Sequence, residues 1–243
     1  MSPKEERKLA AIMFADIVGY SRMMSNDEEK TLEVLKDFES LCLTSITGNH
    51  GTIIKKLGDG FFCEFSSAKK SVDSALELQK SIQTYNDSRP IDFRLEIRIG
   101  IHVGDVLKKE NDVFGDGVNV ASRLESIAPA GGVCVSKSVY DELSNQDDFD
   151  GIELGLQSLK GVGRLIEVFG LKGEKLNEPK PSEYQDNKVA VHSDDEVPSI
   201  AIIPFRNKGK EEDAFFAYGI CADLISDCSG AGLIRVASLK DIE

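Results

Sequence analysis

The sequence predicts an α+β fold of the ferredoxin-like, split βαβ kind: an antiparallel sheet with helices on one face. Three observations carry this. Hydrophobic periodicity orders the elements as strand, helix, strand–strand, helix, strand. The stretch IIKKLGDGFFCEF, residues 53–65, sets Asp59-Gly60 between two apolar runs, the strongest short-range hairpin signal. From Lys172 the chain turns polar, charged and proline-bearing, which ends the domain near residue 171.

The elements follow in order. LAAIMFA, residues 9–15, is apolar on both faces, as in a buried central strand. Ser25 and Glu28 have capping-box spacing. Leu32, Leu35, Phe38, Leu41, Cys42 and Ile46 then recur at helical spacing, predicting a helix over about 27–47. The hairpin spans 52–65. Val72, Ala75, Leu76 and Ile82 mark a helix over about 67–86, and 93–107 alternates as one long strand or a bent pair. A helix over about 117–127, a short strand at GGVCVS, a short helix at SVYDEL and a closing hairpin over 152–170 complete residues 1–171. Residues 172–198 read as a linker. Residues 199–243 carry strand, helix and strand patterns, a single βαβ unit too small to bury its own core.

The 243 residues include 41% hydrophobic side chains, enough for an ample core, and a formal net charge of −13. That balance excludes non-specific nucleic-acid binding, which needs a basic face, but leaves room for a nucleotide site made positive locally or by metal. The five cysteines are scattered without CxxC or Cys/His spacing, so neither a disulfide frame nor a zinc site is indicated. No apolar run approaches a membrane span, and MSPKEERK has no apolar h-region of a signal peptide behind it. A reduced, cytoplasmic protein is the expectation.

Asp16 ends the buried first strand, where a carboxylate is costly unless paired. Alone it reads as a cap or turn residue, and Asp59 alone as a turn former. Together, at the ends of strands that neighbour each other in a split βαβ sheet, they make a hard-cation site suited to magnesium with phosphate ligands. Gly19 allows backbone N–H groups to approach a phosphate closely. Lys55, four residues before Asp59, shares its strand face or is simply surface. In DVFGDGVNVASRLES, Asn119 and Arg123 stand at i,i+4 and project together; they are either an exposed pair or groups aimed at a phosphate.

FADIVGYS, KKLGDGFF and DVFGDGVNVASRLES resemble, in order and spacing, the three signature segments of the class III adenylate and guanylate cyclase catalytic domain, over roughly residues 7–171. The resemblance implies that Asp16, Asp59 and the carbonyl of Ile17 bind two divalent cations, Mg2+ or Mn2+. It implies that Lys55 and Asp112 read the base, that Asn119 orients the ribose and that Arg123 stabilises the transition state; Asp116 is a turn residue only. The implied substrate is ATP. Two metal ions lower the pKa of the ribose 3′-hydroxyl, which attacks the α-phosphorus in line, giving cyclic AMP and pyrophosphate. The sites are shared across a homodimer.

Lysine and aspartate suit adenine N1 and its 6-amino group, although the hydrogen-bond inventory alone also admits guanine; guanylate-specific members typically carry Glu and Cys here. A guanylate cyclase and a catalytically silent nucleotide-binding module are the competing readings. A diguanylate cyclase is set aside because GG[DE]EF is absent. Asp105 stands where some members carry a triphosphate-binding arginine; Lys160 in LKGVGRL is the best match to a phosphate lysine, with Arg164 the fallback. The tail resembles the opening of a TolB-like domain, which places any regulatory domain downstream.

Overall fold

Residues Glu5–Ile17 form one strand, β1, whose alternation organises the domain. The structure is a computed structural model that describes residues 5–109, 112–144 and 149–185, with the short segments 199–200 and 235–236. The chain divides into two units, Met1–Lys188 and Val189–Glu243. After β1 come α1 (Tyr20–Asn26), α2 (Glu28–Gly48), β2 (Thr52–Lys56), β3 (Gly60–Phe65) and α3 (Ala68–Asp87). A 3-10 turn at Ile91–Phe93 leads to β4 (Ile97–Lys109), β5 (Asp112–Phe114), α4 (Asp116–Ile127), β6 (Val133–Ser136) and α5 (Lys137–Leu143). The hairpin β7 (Gly151–Ser158) and β8 (Leu165–Leu171) and the short α6 (Pro181–Gln185) close the first unit.

The strands of the main sheet run β2-β3-β1-β4-β6-β8-β7, with β5 folded back on β4. The α+β class and the long single strand over the 93–107 region are as expected. The sheet is mixed rather than wholly antiparallel, because β4 and β6 pair in parallel across the α4 connection. Helices also cover both faces rather than one. Odd-numbered β1 residues, Ala11, Met13, Ala15 and Ile17, join a core with Phe38 of α2, Leu78 of α3 and Val139 of α5. The even-numbered Ala10 and Ile12 pack with Ala121 of α4. A continuously apolar strand needs cover on both sides, and α4 supplies it on the second.

Local signals explain the boundaries. The cap of α2 is Asp27, whose side chain accepts from the Lys30 N–H at 3.1 Å. Ser25, half of the expected capping box, instead donates to the Ser21 carbonyl within α1. Ser67 caps α3 in the same way as Asp27 caps α2. Cys42 and Cys63 are fully buried core residues.

The expected linker begins as packed structure. The Asn177 N–H donates to the Gly131 carbonyl at 3.0 Å, and its side chain donates to Ala130 at 2.7 Å. Tyr184, 6% exposed, sits in the core beside Leu124 and Val168 and donates to the Ile127 carbonyl. Residues 172–185 are therefore held by the Asn177 hydrogen bonds and the buried Tyr184, which a polar composition conceals. In the second unit, Ser199–Ile200 (β9) and Arg235–Val236 (β10) pair in parallel, as a βαβ unit requires. The helix expected between them lies outside the described residues.

Gly100 of β4 is where α4 seats. A Cβ there would stand 2.0 Å from the Glu125 backbone nitrogen and 2.5 Å from the Ala121 carbonyl oxygen. Backbone cannot yield as a side chain tip can, so Gly100→Ala is expected to destabilise the domain by about 3 kcal/mol. Chemical denaturation checks this, and an unchanged midpoint would refute the close seat of α4.

Candidate active site

The hairpin corner differs by one residue from its sequence reading. Gly58 and Asp59 form the two-residue loop, with Gly58 left-handed at φ 72° and the Leu57 N–H donating to the Gly60 carbonyl at 2.8 Å. Gly60 starts β3 opposite Asp16, and a Cβ on it would fall 2.8 Å from Asp16 Oδ1. Asp59 is thus a turn residue whose carbonyl accepts from the Ile17 N–H at 3.2 Å, while its carboxylate remains beside Asp16. Burial and the negative charge of Asp59 push the Asp16 carboxyl up to about 6. Gly19 follows at φ 74°, the left-handed residue that carries the chain from β1 into α1.

The cation facing this pair is one that sequence reasoning missed. Arg98 of β4 is the cross-strand partner of Asp16, and its charge partly offsets the rise in Asp16. Arg98 Nε lies 3.6 Å from Glu125 Oε1 of α4; both atoms are buried without a hydrogen bond. Burial first, and then the charge of Asp16, raise Glu125 to about 7. Asp105, by contrast, pairs with Leu9, seven residues along β4 from Arg98 and so roughly 23 Å away. Arg98, not Asp105, is the residue beside Asp16. The IRIG alternation hinted at its face, but only the register of β4 against β1 brings Arg98 to Asp16.

The other predicted residues gather on the same sheet face in two further groups. Lys55 pairs in register with Phe62, which stacks on Phe14 with ring centroids 4.8 Å apart. Its ammonium donates to the Asp112 carboxylate on β5 and lies 5.8 Å from the Phe114 ring centre. The hydrogen bond from Lys55 holds Asp112 below the usual carboxylate range. Along α4, Asn119 is exposed and Arg123 half-buried. Arg123 Nε donates to the Lys160 carbonyl at 2.9 Å, at the tip of the β7–β8 hairpin. Arg164, the fallback phosphate cation, is engaged by Asp116. Among the described residues, no hydrogen bond or ion pair joins the Lys55–Asp112 group or the Arg123–Lys160 group to Asp16 or Asp59.

This geometry coincides with a known family. The description "Adenylate and Guanylate cyclase catalytic domain" matches residues 2–173. The chain belongs to that family. It is 35% identical over 237 residues to a protein of Rhizobium meliloti (strain 1021) that carries a provisional adenylate cyclase name, covering 95% of this chain and 39% of that one. An adenylate cyclase of Streptomyces coelicolor is 35% identical over 144 residues, covering 59% of this chain and 36% of that one. The chain therefore spans well under half the length of these curated relatives. Among solved structures, the adenylate/guanylate cyclase/hydrolase from Silicibacter pomeroyi is 37% identical with a TM-score of 0.66, covering 70% of this chain and all of that one. The TolB-like resemblance of the tail finds no support in these comparisons.

The donor set at the cyclase site fits a hard divalent cation. Burial and the neighbouring Asp59 carboxylate together raise Asp16, so the pair holds excess negative charge that a cation would offset. Among the described residues no third His, Cys, Asp or Glu completes a closed cage. Magnesium is commonly held this way, by one or two carboxylates plus phosphate oxygens and water. No helix among the described residues is long and apolar enough to cross a membrane.

The raised carboxyls set a pH signature. Asp16 (ordinarily 3.8, here about 6) and Glu125 (ordinarily 4.5, here about 7) bind more protons folded than unfolded between those values. Stability of the metal-free protein is therefore expected to fall as pH rises from about 4 to about 7. Thermal unfolding across this range checks it: Asp16→Asn should flatten part of the decline, and manganese should restore the melting temperature near neutral pH. A melting temperature that climbs over this window in the metal-free wild type would contradict the assignment.

Proposed function

We propose that this cyclase domain converts ATP to 3′,5′-cyclic AMP and pyrophosphate. The observation that supports adenine is the Lys55–Asp112 pair, held together beside Phe114 at positions where guanylate-specific members of the family typically carry Glu and Cys. Lysine donates to adenine N1, and aspartate accepts from the 6-amino group. The provisional and assigned adenylate cyclase names of two 35% identical relatives support the same choice.

Asp16, Asp59 and the Ile17 carbonyl are proposed to hold divalent magnesium or manganese, which would supply positive charge at the phosphates and acidify the ribose hydroxyl. Gly19 lets the chain turn close to the phosphates, and Arg98 and Lys160 supply cations to them. Asn119 orients the ribose. Its 3′-oxygen attacks the α-phosphorus as the bond to the β-phosphate bridging oxygen breaks; the hydroxyl proton leaves to solvent and pyrophosphate departs. Arg123 offsets the charge that grows on the α-phosphoryl oxygens, so catalysis rests on positioning and electrostatics.

The working form is proposed to be a homodimer. The metal pair and the base-reading pair share one sheet face without touching each other. That face also leaves Phe114 and the nearby Leu57 about half exposed, at 47% and 48%. Each composite site would take Asp16 and Asp59 from one protomer and Lys55, Asp112, Asn119 and Arg123 from its partner.

Product formation from ATP and from GTP with manganese tests this, together with Asp59→Asn and Arg123→Ala. The wild type is expected to form cyclic AMP in preference to cyclic GMP. Each variant should lose about a hundredfold in kcat, the scale of removing one preorganised charge-stabilising group. Cyclic GMP as the main product would move the assignment to a guanylate cyclase. Nucleotide binding without product from a dimeric wild type would make the domain a binding module.

A further inference from the structure

We propose that Asp116 and Arg164 are positioning residues: their ion pair ties the 159–164 loop to the first turn of α4, so that the loop backbone aims Arg123. The inference rests on the cyclase reading and adds to it a role for Asp116, whose sequence context marks only a turn.

The loop is anchored at Leu159 and Val162, with unpacked glycines on either side of Val162. Leu159 and Val162 are 4% and 9% exposed in the core that also holds Val120 and Leu124 of α4. The Val162 N–H donates to the Leu159 carbonyl at 3.0 Å, closing a tight turn around Lys160 and Gly161, the latter left-handed at φ 77°. This turn points the Lys160 carbonyl at Arg123 Nε, 2.9 Å away. Using Nε fixes the plane of the guanidinium and leaves its terminal nitrogens for a ligand. A Cβ on Gly161 or on Gly163 would meet nothing within 4 Å, so the two glycines flanking Val162 are unpacked before β8 begins at Leu165, paired with Ser158. Arg164 then returns the chain to α4 through the Asp116 carboxylate.

Asp116 and Arg123 are seven residues apart, two turns on one helical face. The loop is thus tied to α4 at two points along one stripe, the Lys160 carbonyl at Arg123 and Arg164 at Asp116. Both side chains of the ion pair are about half exposed, at 54% and 50%. A pair so exposed contributes little to stability. Its consequence is local: without it the glycine-flanked end of the loop can pivot, and the Lys160 carbonyl loses its fixed line to Arg123. Small misplacements of this kind reach catalysis strongly.

The test compares Asp116→Asn, Arg164→Gln and Arg164→Lys with the wild type in the full chain. Amide hydrogen exchange over 159–164 and steady-state cyclic AMP formation from ATP with manganese are both measured. The two neutral variants should exchange faster at 160–164 and lose about tenfold in kcat with KM changed by less than about threefold. Arg164→Lys should keep most of the wild-type rate, because a point charge can still pair. Melting temperatures should stay within about 2 °C of the wild type, as for other exposed pairs. Unchanged exchange in Asp116→Asn overturns the tether, and faster exchange with unchanged kcat overturns the positioning role. Loss in Arg164→Gln without loss in Asp116→Asn assigns Arg164 to the phosphates instead. A wild type that makes no cyclic nucleotide overturns the cyclase reading and the positioning role with it, while the exchange comparison still decides the tether.

Discussion

The register of β1 against its two neighbours is the constraint on which the rest depends. β1 pairs with β3 on one side and β4 on the other, which puts Gly60 and Arg98 beside Asp16 at the same level. Strand side chains alternate, so a slip of one residue would turn Asp16 toward the face covered by α2 and α3 and turn Ile17 out. That slip is resisted by the apolar set on the odd positions, Ala11, Met13, Ala15 and Ile17, all buried. The core that hides these side chains is therefore also what presents the carboxylate. Stability and site geometry are set by one alternation.

A second consequence is that the site's charges are gathered from elements distant in sequence and held in a partly dry place. Asp16, Asp59 and Glu125 repel one another, and Arg98 lies among them. Burial first, and then this repulsion, raise Asp16 and Glu125 toward neutral pKa values, so protons compensate the excess negative charge in the metal-free state. A divalent cation brought by a nucleotide would take over that role. The close seat of α4 on Gly100 brings Glu125 to Arg98 and carries Arg123 on the same helix.

Much of the domain was legible in the chain itself, for identifiable reasons. The DG corner between apolar runs, the helical spacing of Phe38, Cys42 and Ile46, and the alternation of IRIGIHV are local signals, and local structure follows them. Asp59 was legible as a turn residue, and Lys55 with Asp112 as a pair through the family resemblance. Other features escaped because they are non-local. Tyr184 looks like one aromatic in a polar stretch until the core beneath it is assembled. Arg98 looks like a solvated strand residue until β4 is laid against β1.

By itself the sequence determined the elements, the signature segments that identify the family, and the chemical types available: paired carboxylates, a lysine with an aspartate, and an arginine. These are properties of residue type and spacing along the chain. Tertiary structure alone decided which charges meet: Arg98 with Asp16 and Glu125, Arg123 with the Lys160 carbonyl, and Asp116 with Arg164. The reason is physical. Electrostatic and hydrogen-bond energies depend on separations of a few ångströms and on exposure to water, and neither exists until strands take their register and helices their seats.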